Sequence, residues 1–144
     1  MAVKITPAQR EELIKTVEAL HERGYNCAQS VFLTFAPLMG LDELSARKLM
    51  QGFGGGMGGL GEACGALSGA VAVLGMLSEA VTPGNQEEKE RFYMRVKVLG
   101  EAFAAKAGGT RCPELKLEDP EERKKACGSF MTLAVELVTE AIGA

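Results

Sequence analysis

A ten-residue stretch dominated by glycine lies near the middle of this chain. Residues 52–61 read Gly-Phe-Gly-Gly-Gly-Met-Gly-Gly-Leu-Gly. No regular element tolerates that density of residues without side chains, because glycine loses more conformational freedom on folding than any other residue. The stretch is therefore predicted to be a loop, with regular structure on either side of it.

The segments that flank this loop carry helix signals. Residues 6–9, Thr-Pro-Ala-Gln, form a capping box with proline at the first helical position. Side chains that can cap helix N-termini begin four later segments, at Asn26, Asp42, Asn85 and Asp119. In the helix that Asp42 opens, Leu44, Leu49 and Phe53 are predicted to contact the core.

The segment after the glycine loop is predicted to be the central helix. Residues 62–81 place apolar side chains at helical spacing, and Gly65, Gly69 and Gly75 allow close helix approach. No segment of the chain shows sustained alternation of apolar and polar residues with hairpin signals. We therefore predict an all-α fold, a single domain over residues 1–144, built as a compact bundle of five or six helices.

Composition narrows the function classes. The chain has 144 residues with 16 Lys and Arg against 19 Asp and Glu, and a net charge of -3. Binding to nucleic-acid phosphates is therefore not expected. The longest uncharged stretch, residues 63–78, is shorter than the about 20 apolar residues of a membrane span. The N-terminus carries no apolar segment of signal-peptide length, so we expect a cytoplasmic protein without membrane insertion.

The glycine loop also matches a nucleotide-binding pattern by composition alone. G-x-G-x-x-G occurs twice within residues 54–61. Dinucleotide binding requires a strand before the glycines, whereas the residues before this loop have a helical pattern. No Gly-Lys-Ser/Thr follows, which excludes a phosphate-binding loop of that type. The loop is therefore interpreted either as a flexible hinge or as bare backbone that packs around a bulky group or approaches a thiolate, with Cys64 three residues after Gly61.

Four cysteines are the main candidates for chemistry, at positions 27, 64, 112 and 127. Their spacing is too wide for C-x-x-C or a zinc knuckle, and thiols in a cytosolic chain normally stay reduced. Cys27 and Cys64 fall at predicted helix starts, where the helix dipole lowers a thiol pKa. Cys112 follows Arg111, and Cys127 follows two lysines. Three of the four lie on apolar helix faces, so they are predicted to converge.

Three hypotheses for these cysteines follow. In the first, Cys27, Cys64, Cys112 and Cys127 form one redox-active thiol site for dithiol/disulfide or electron-transfer chemistry, with Cys64 as the nucleophile. This hypothesis predicts that iodoacetamide modifies Cys64 or Cys27 before Cys127. An unidentified redox partner is implied.

In the second hypothesis the same four cysteines bind an iron–sulfur cluster or a zinc ion. The backbone at Gly61 and Gly65 would then surround the cluster. In the third, the cysteines are inert core residues, and the central helix, whose glycines permit close backbone approach, forms a homodimer interface.

One motif connects the cysteines to a known family. Residues 64–69, Cys-Gly-Ala-Leu-Ser-Gly, read C-G-A-x-x-G, with Cys27 before this hexapeptide and Cys112 and Cys127 after it. This order, from Gly24 to Cys127, resembles the C_GCAxxG_C_C family of small redox-active proteins. The resemblance implies a bacterial or archaeal cytosolic protein whose cysteines act in redox chemistry. Similarity to a domain of split-Soret cytochromes would suggest an iron–sulfur cluster, although this chain lacks C-x-x-C-H.

Overall fold

The computed structural model describes residues 4–112 and 117–143, and helices dominate both ranges. Six of the helices in these two ranges have eight residues or more, which confirms the all-α class. The predicted count of five or six is low because two four-residue segments, α3 and α5, form as well. In chain order the segments are α1 (Pro7–Glu22), α2 (Cys27–Thr34), α3 (Ala36–Met39), α4 (Glu43–Met50), α5 (Gly54–Met57), α6 (Gly65–Met76), α7 (Gln86–Ala107) and α8 (Pro120–Gly143).

Local side-chain hydrogen bonds fix where the first helices begin. Thr6 accepts from the backbone N–H of Gln9 at 3.1 Å, and the Gln9 side chain accepts from the N–H of Thr6 at 2.8 Å. Asn26 and Gln29 repeat this reciprocal pair at the start of α2. Asp42 accepts from a backbone N–H in the first turn of α4. These caps satisfy N–H groups that have no partner within the helix, so the predicted starts are confirmed.

The core forms around α6 and α8. Helix α6 packs against α2, α7 and α8, and α8 packs also against α1 and α2. The fully buried large side chains include Phe32, Leu74, Phe103 and Met131 from four helices, and Phe35 from the junction of α2 and α3. The central position predicted for the helix after the glycine loop is confirmed, although α6 is shorter than residues 62–81.

The inward face of α4 differs from the prediction. Leu44 and Leu49 are more than half exposed, whereas Ala46 and Met50 are buried. Helix α4 packs against α2, and Ala46 and Met50, an i, i+4 pair, are the residues of α4 that belong to the buried core. The prediction favoured the largest apolar side chains and was wrong for Leu44 and Leu49.

Helix α8 is the one helix in the described ranges with the length and hydropathy of a membrane span. Its inner residues, including Met131, Val135 and Val138, are buried against the other helices. The core helix of a globular protein meets the same criteria, so this observation is weak evidence for a membrane location.

The glycine stretch makes a left-handed turn instead of an ordinary helix. Within α5, Gly55 and Gly56 have φ values of 69° and 71°, a region that residues with side chains rarely adopt. The turn then closes through the N–H of Glu62, which donates to the carbonyl of Gly56 at 2.9 Å. The turn follows a helix, α4, and not the strand that a dinucleotide-binding glycine motif requires.

Candidate functional site

Two cysteines lie at helix N-termini. Cys27 is the first residue of α2, and Cys64 is the N-cap of α6. The start of α2 is tied to the end of α4, because the Asn26 side chain donates to the carbonyl of Gln51 at 3.2 Å and that of Gln29 donates to Arg47 at 2.9 Å. The sequence Asn-Cys-Ala-Gln therefore both caps α2 and holds Cys27 in place.

Two glycines of α6 bring α2 close to Cys64. A Cβ atom at Gly65 would lie 2.5 Å from the Sγ of Cys27 and 3.0 Å from the carbonyl oxygen of Phe53. One turn later, a Cβ at Gly69 would lie 2.8 Å from the carbonyl oxygen of Ala28. Any side chain at either position would push the two helices apart. The two glycines of C-G-A-x-x-G thus form the groove that α2 occupies.

Cys112 reaches the same region through a single β-bridge. Ala63 pairs with Arg111 in antiparallel orientation. The N–H of Cys64 donates to the carbonyl of Thr110 at 2.7 Å, and the N–H of Cys112 donates to that of Glu62 at 2.8 Å.

The register of this bridge sets the relation between the two cysteines. Because Ala63 is opposite Arg111, Cys64 is opposite Thr110 and Cys112 is opposite Glu62. Opposite residues share a face, and so do residues two apart on one strand, which makes Cys64 and Cys112 diagonal neighbours on one face. Such neighbours are about 7–8 Å apart, near the limit of about 7 Å between Cα atoms for a disulfide. A small backbone movement is therefore needed to join them. Sequence reasoning missed this bridge, because one residue pair leaves no alternating pattern.

The glycine turn packs directly against Cys112. A Cβ at Gly56 would lie 2.8 Å from the Cβ of Cys112 and 2.8 Å from the backbone nitrogen of Glu62. Since Gly56 also has a positive φ, both backbone conformation and space require glycine here. Bare backbone thus packs against Cys112, whereas the sequence pointed to Cys64 as the neighbour of this loop.

Burial controls the acidity of Cys64. Its surface is 4% exposed, and desolvation raises the pKa of its thiol from 9.0 to about 11. The backbone N–H groups of Ala66 and Leu67, at the start of α6, act in the opposite direction, and the charges of Cys27 and Cys112 raise the pKa further. The lowered pKa that was predicted for Cys64 is therefore wrong, because the loss of hydration outweighs the helix N-terminus.

Cys127 has different surroundings. Cys127 lies on α8 and is half-buried. Phe130 follows it by one helical turn, and the ring centroid of Phe130 is 6.0 Å from that of Phe103. The structure therefore brings together Cys27, Cys64 and Cys112, while Cys127 is on a separate element. No disulfide joins the four cysteines, all of which are in the described ranges.

The geometry gives no support to a metal or cluster site. Within residues 4–112 and 117–143, no group of three or more His, Cys, Asp or Glu side chains has the arrangement of metal ligands. The N–H of Gly61 donates to the carbonyl of Gly55 at 3.4 Å, and Gly65 packs against Cys27. The four-cysteine ligand set for zinc or an iron–sulfur cluster therefore stays a prediction.

The fold and the buried thiols define a small all-α cysteine protein. The chain belongs to the C_GCAxxG_C_C family, because the family model described as "Putative redox-active protein (C_GCAxxG_C_C)" matches residues 25–141. A protein of Archaeoglobus fulgidus, described as uncharacterized, is similar to this chain. The two are 29% identical over 139 residues, which cover 89% of this chain and 91% of that protein. No solved structure matches the chain.

Proposed function

We propose that this chain is a thiol–disulfide redox protein whose working thiols are Cys27, Cys64 and Cys112. The observation that carries the proposal is the meeting of three cysteines, distant in sequence, in one buried cluster. Gly56, Gly65 and Gly69 make that meeting possible, and each would clash with a neighbour if it gained a Cβ. Membership of a redox-active family supports the same function.

The reaction is exchange between these thiols and a disulfide of the redox partner. One protein thiolate attacks a partner sulfur and forms a mixed disulfide, and the partner's other sulfur leaves as a thiol. A second protein thiol then attacks the protein sulfur of that mixed disulfide. The protein gains one disulfide, the partner gains two electrons and two protons, and both partner sulfurs become thiols.

Cys64 is the central thiol of this cycle. It neighbours both Cys27, across the α2–α6 contact, and Cys112, across the β-bridge. Burial raises the pKa of the Cys64 thiol and so lowers its small thiolate fraction at neutral pH further, which slows nonspecific oxidation of this thiol. The N–H groups of Ala66 and Leu67 stabilise the thiolate when it forms. A reducing compartment such as the cytoplasm suits this resting state.

Disulfide mapping tests the proposal. The reduced protein is oxidised with excess small disulfide, the remaining thiols are blocked, and peptides are analysed by mass spectrometry without reduction. The expected product is a Cys27–Cys64 or Cys64–Cys112 disulfide. Cys64→Ser should abolish both products, and Cys127→Ser, the matched control, should retain them.

Two outcomes would contradict the proposal. One is a wild-type protein that forms no disulfide among Cys27, Cys64 and Cys112. The other is a brown anaerobic preparation that dithionite bleaches and that loses its colour when any of the three cysteines is replaced. That result would favour the iron–sulfur hypothesis.

A further inference from the structure

A small cavity leads from the surface to Cys112. Its volume is about 270 Å³. Gly108, Thr110 and Arg111 are exposed at the rim, while Phe103 and Cys112 are buried at the inner end. Among the described residues, the lining also includes Ala107, Gly109 and Phe130 but neither Cys27 nor Cys64.

We propose that Cys112 is the thiol that meets the external reactant, and that this reactant is a low-molecular-weight disulfide with short, uncharged arms. The inference rests on the proposed function and names the thiol at which the external disulfide first reacts. Cys64 then acts second, from inside the protein. This reverses the order that the sequence suggested, in which Cys64 attacks first.

The size of the cavity argues for a small reactant. Pockets that hold small molecules usually measure about 300–1,000 Å³, so this cavity is at the lower end of that range. A disulfide carried on a folded protein would have to pass the rim together with its flanking chain. A short-armed disulfide needs only one arm and one sulfur inside.

The lining argues for uncharged arms. The rings of Phe103 and Phe130 are tilted by 54°, and the methyl group of Ala107 and the glycines at 108 and 109 add no charge. A charged arm that entered would lose hydration without gaining a partner from these five residues. Arg111 lies at the exposed rim, where water screens its charge.

The chemical step balances as follows. The Cys112 thiolate attacks one sulfur of the disulfide RSSR, a Cys112–SR bond forms, and RS⁻ leaves and takes up a proton. Cys64 then attacks the Cys112 sulfur, and the second R group leaves as RSH. One RSSR is reduced to two RSH, and two protein thiols are oxidised to the Cys64–Cys112 disulfide.

Trapping the mixed disulfide tests the assignment. The reduced protein is mixed with bis(2-hydroxyethyl) disulfide, quenched with acid after increasing times, and mapped by mass spectrometry. In Cys64→Ser the adduct should accumulate on Cys112. Oxidised glutathione, which is larger and charged, should react about tenfold more slowly than the small neutral probe.

A cavity-filling pair of variants provides a matched comparison. Ala107→Leu places a larger side chain in the cavity and should slow adduct formation on Cys112 about fivefold or more. Ala105→Leu makes the same change at an exposed position of α7 and should leave the rate within about twofold of wild type. Urea unfolding of both variants establishes that they remain folded.

Each failure has its own signature. A first adduct on Cys27 or Cys64, or wild-type adduct kinetics in folded Ala107→Leu, overturns the entry role of Cys112 while an internal disulfide still supports the proposed function. An adduct on Cys112 that never resolves into an internal disulfide in the wild type refutes the proposed function instead.

Discussion

The tripeptide Ala-Cys-Gly occurs twice in this chain, at residues 63–65 and 126–128, in two very different environments. In the first copy Cys64 caps α6 and is buried, and Gly65 touches the sulfur of Cys27. In the second copy Cys127 lies within α8 and is half-buried. A Cβ at Gly128 would meet no atom within 4 Å.

The difference teaches that tertiary neighbours, and not the local sequence, give these residues their properties. Position 65 requires glycine because α2 lies against it and leaves no room for a side chain. Gly128 has open space around the position of its Cβ, so glycine there only weakens the helix. The same contrast applies to the cysteines, since desolvation dominates the chemistry of Cys64.

The largest expected contrast is in alkylation. A pKa of about 11 instead of 9.0 lowers the thiolate fraction of Cys64 at pH 7 about a hundredfold. We therefore expect iodoacetamide to label half-buried Cys127 before Cys64 in the reduced protein, the reverse of the order predicted from helix starts. Brief alkylation followed by peptide mass spectrometry measures this order. Labelling of Cys64 first would show that burial does not control its reactivity.

Stability at high pH should separate the two cysteines as well. Because the pKa of Cys64 is raised in the folded state, the unfolded chain loses its proton first as pH rises above 9.0. The stability linked to this thiol is fully present below pH 9 and is lost as pH rises through about 11, a difference of about 2–3 kcal/mol.

Urea unfolding at pH 8 and pH 11 measures that loss. The difference between wild type and Cys64→Ser measures the stability linked to Cys64 together with its coupling to Cys27 and Cys112. An equal pH dependence in wild type and Cys64→Ser would contradict the prediction.

The two glycines should respond oppositely to alanine. Gly65→Ala forces a methyl group to within 2.5 Å of the Cys27 sulfur and should cost about 1–3 kcal/mol of unfolding free energy. Gly128→Ala adds a methyl group in open space inside a helix and should stabilise by about 0.5–1 kcal/mol. Urea denaturation measures both. Similar effects of the two substitutions would mean that the α2–α6 contact tolerates a side chain.

Several features of this fold were predictable from sequence because they depend on near neighbours. The caps at Thr6, Asn26 and Asp42 are within three residues of the N–H groups that they satisfy. Other features depend on distant residues and were not predictable. The depth at which Cys64 is buried and the pairing of Ala63 with Arg111 both require the assembled fold.

The last expected contrast is between the two caps that support the two cysteine regions. Asn26 caps α2 and also donates to the carbonyl of Gln51, so it holds Cys27 beside α6. Asp119 accepts from the N–H of Glu121 at the exposed start of α8, the helix that carries Cys127. Replacing a cap by alanine typically costs about 0.5–2 kcal/mol, and we expect Asn26→Ala toward the upper end and Asp119→Ala toward the lower end.

A second measurement distinguishes positioning from stability in this pair. Under conditions where both variants are fully folded, Asn26→Ala should slow formation of the Cys27–Cys64 disulfide, because the first turn of α2 loses its link to α4. Asp119→Ala should leave that rate unchanged. Equal rates in the two variants would mean that the glycine groove of α6 alone positions Cys27, and that the cap contributes only to the free energy of unfolding.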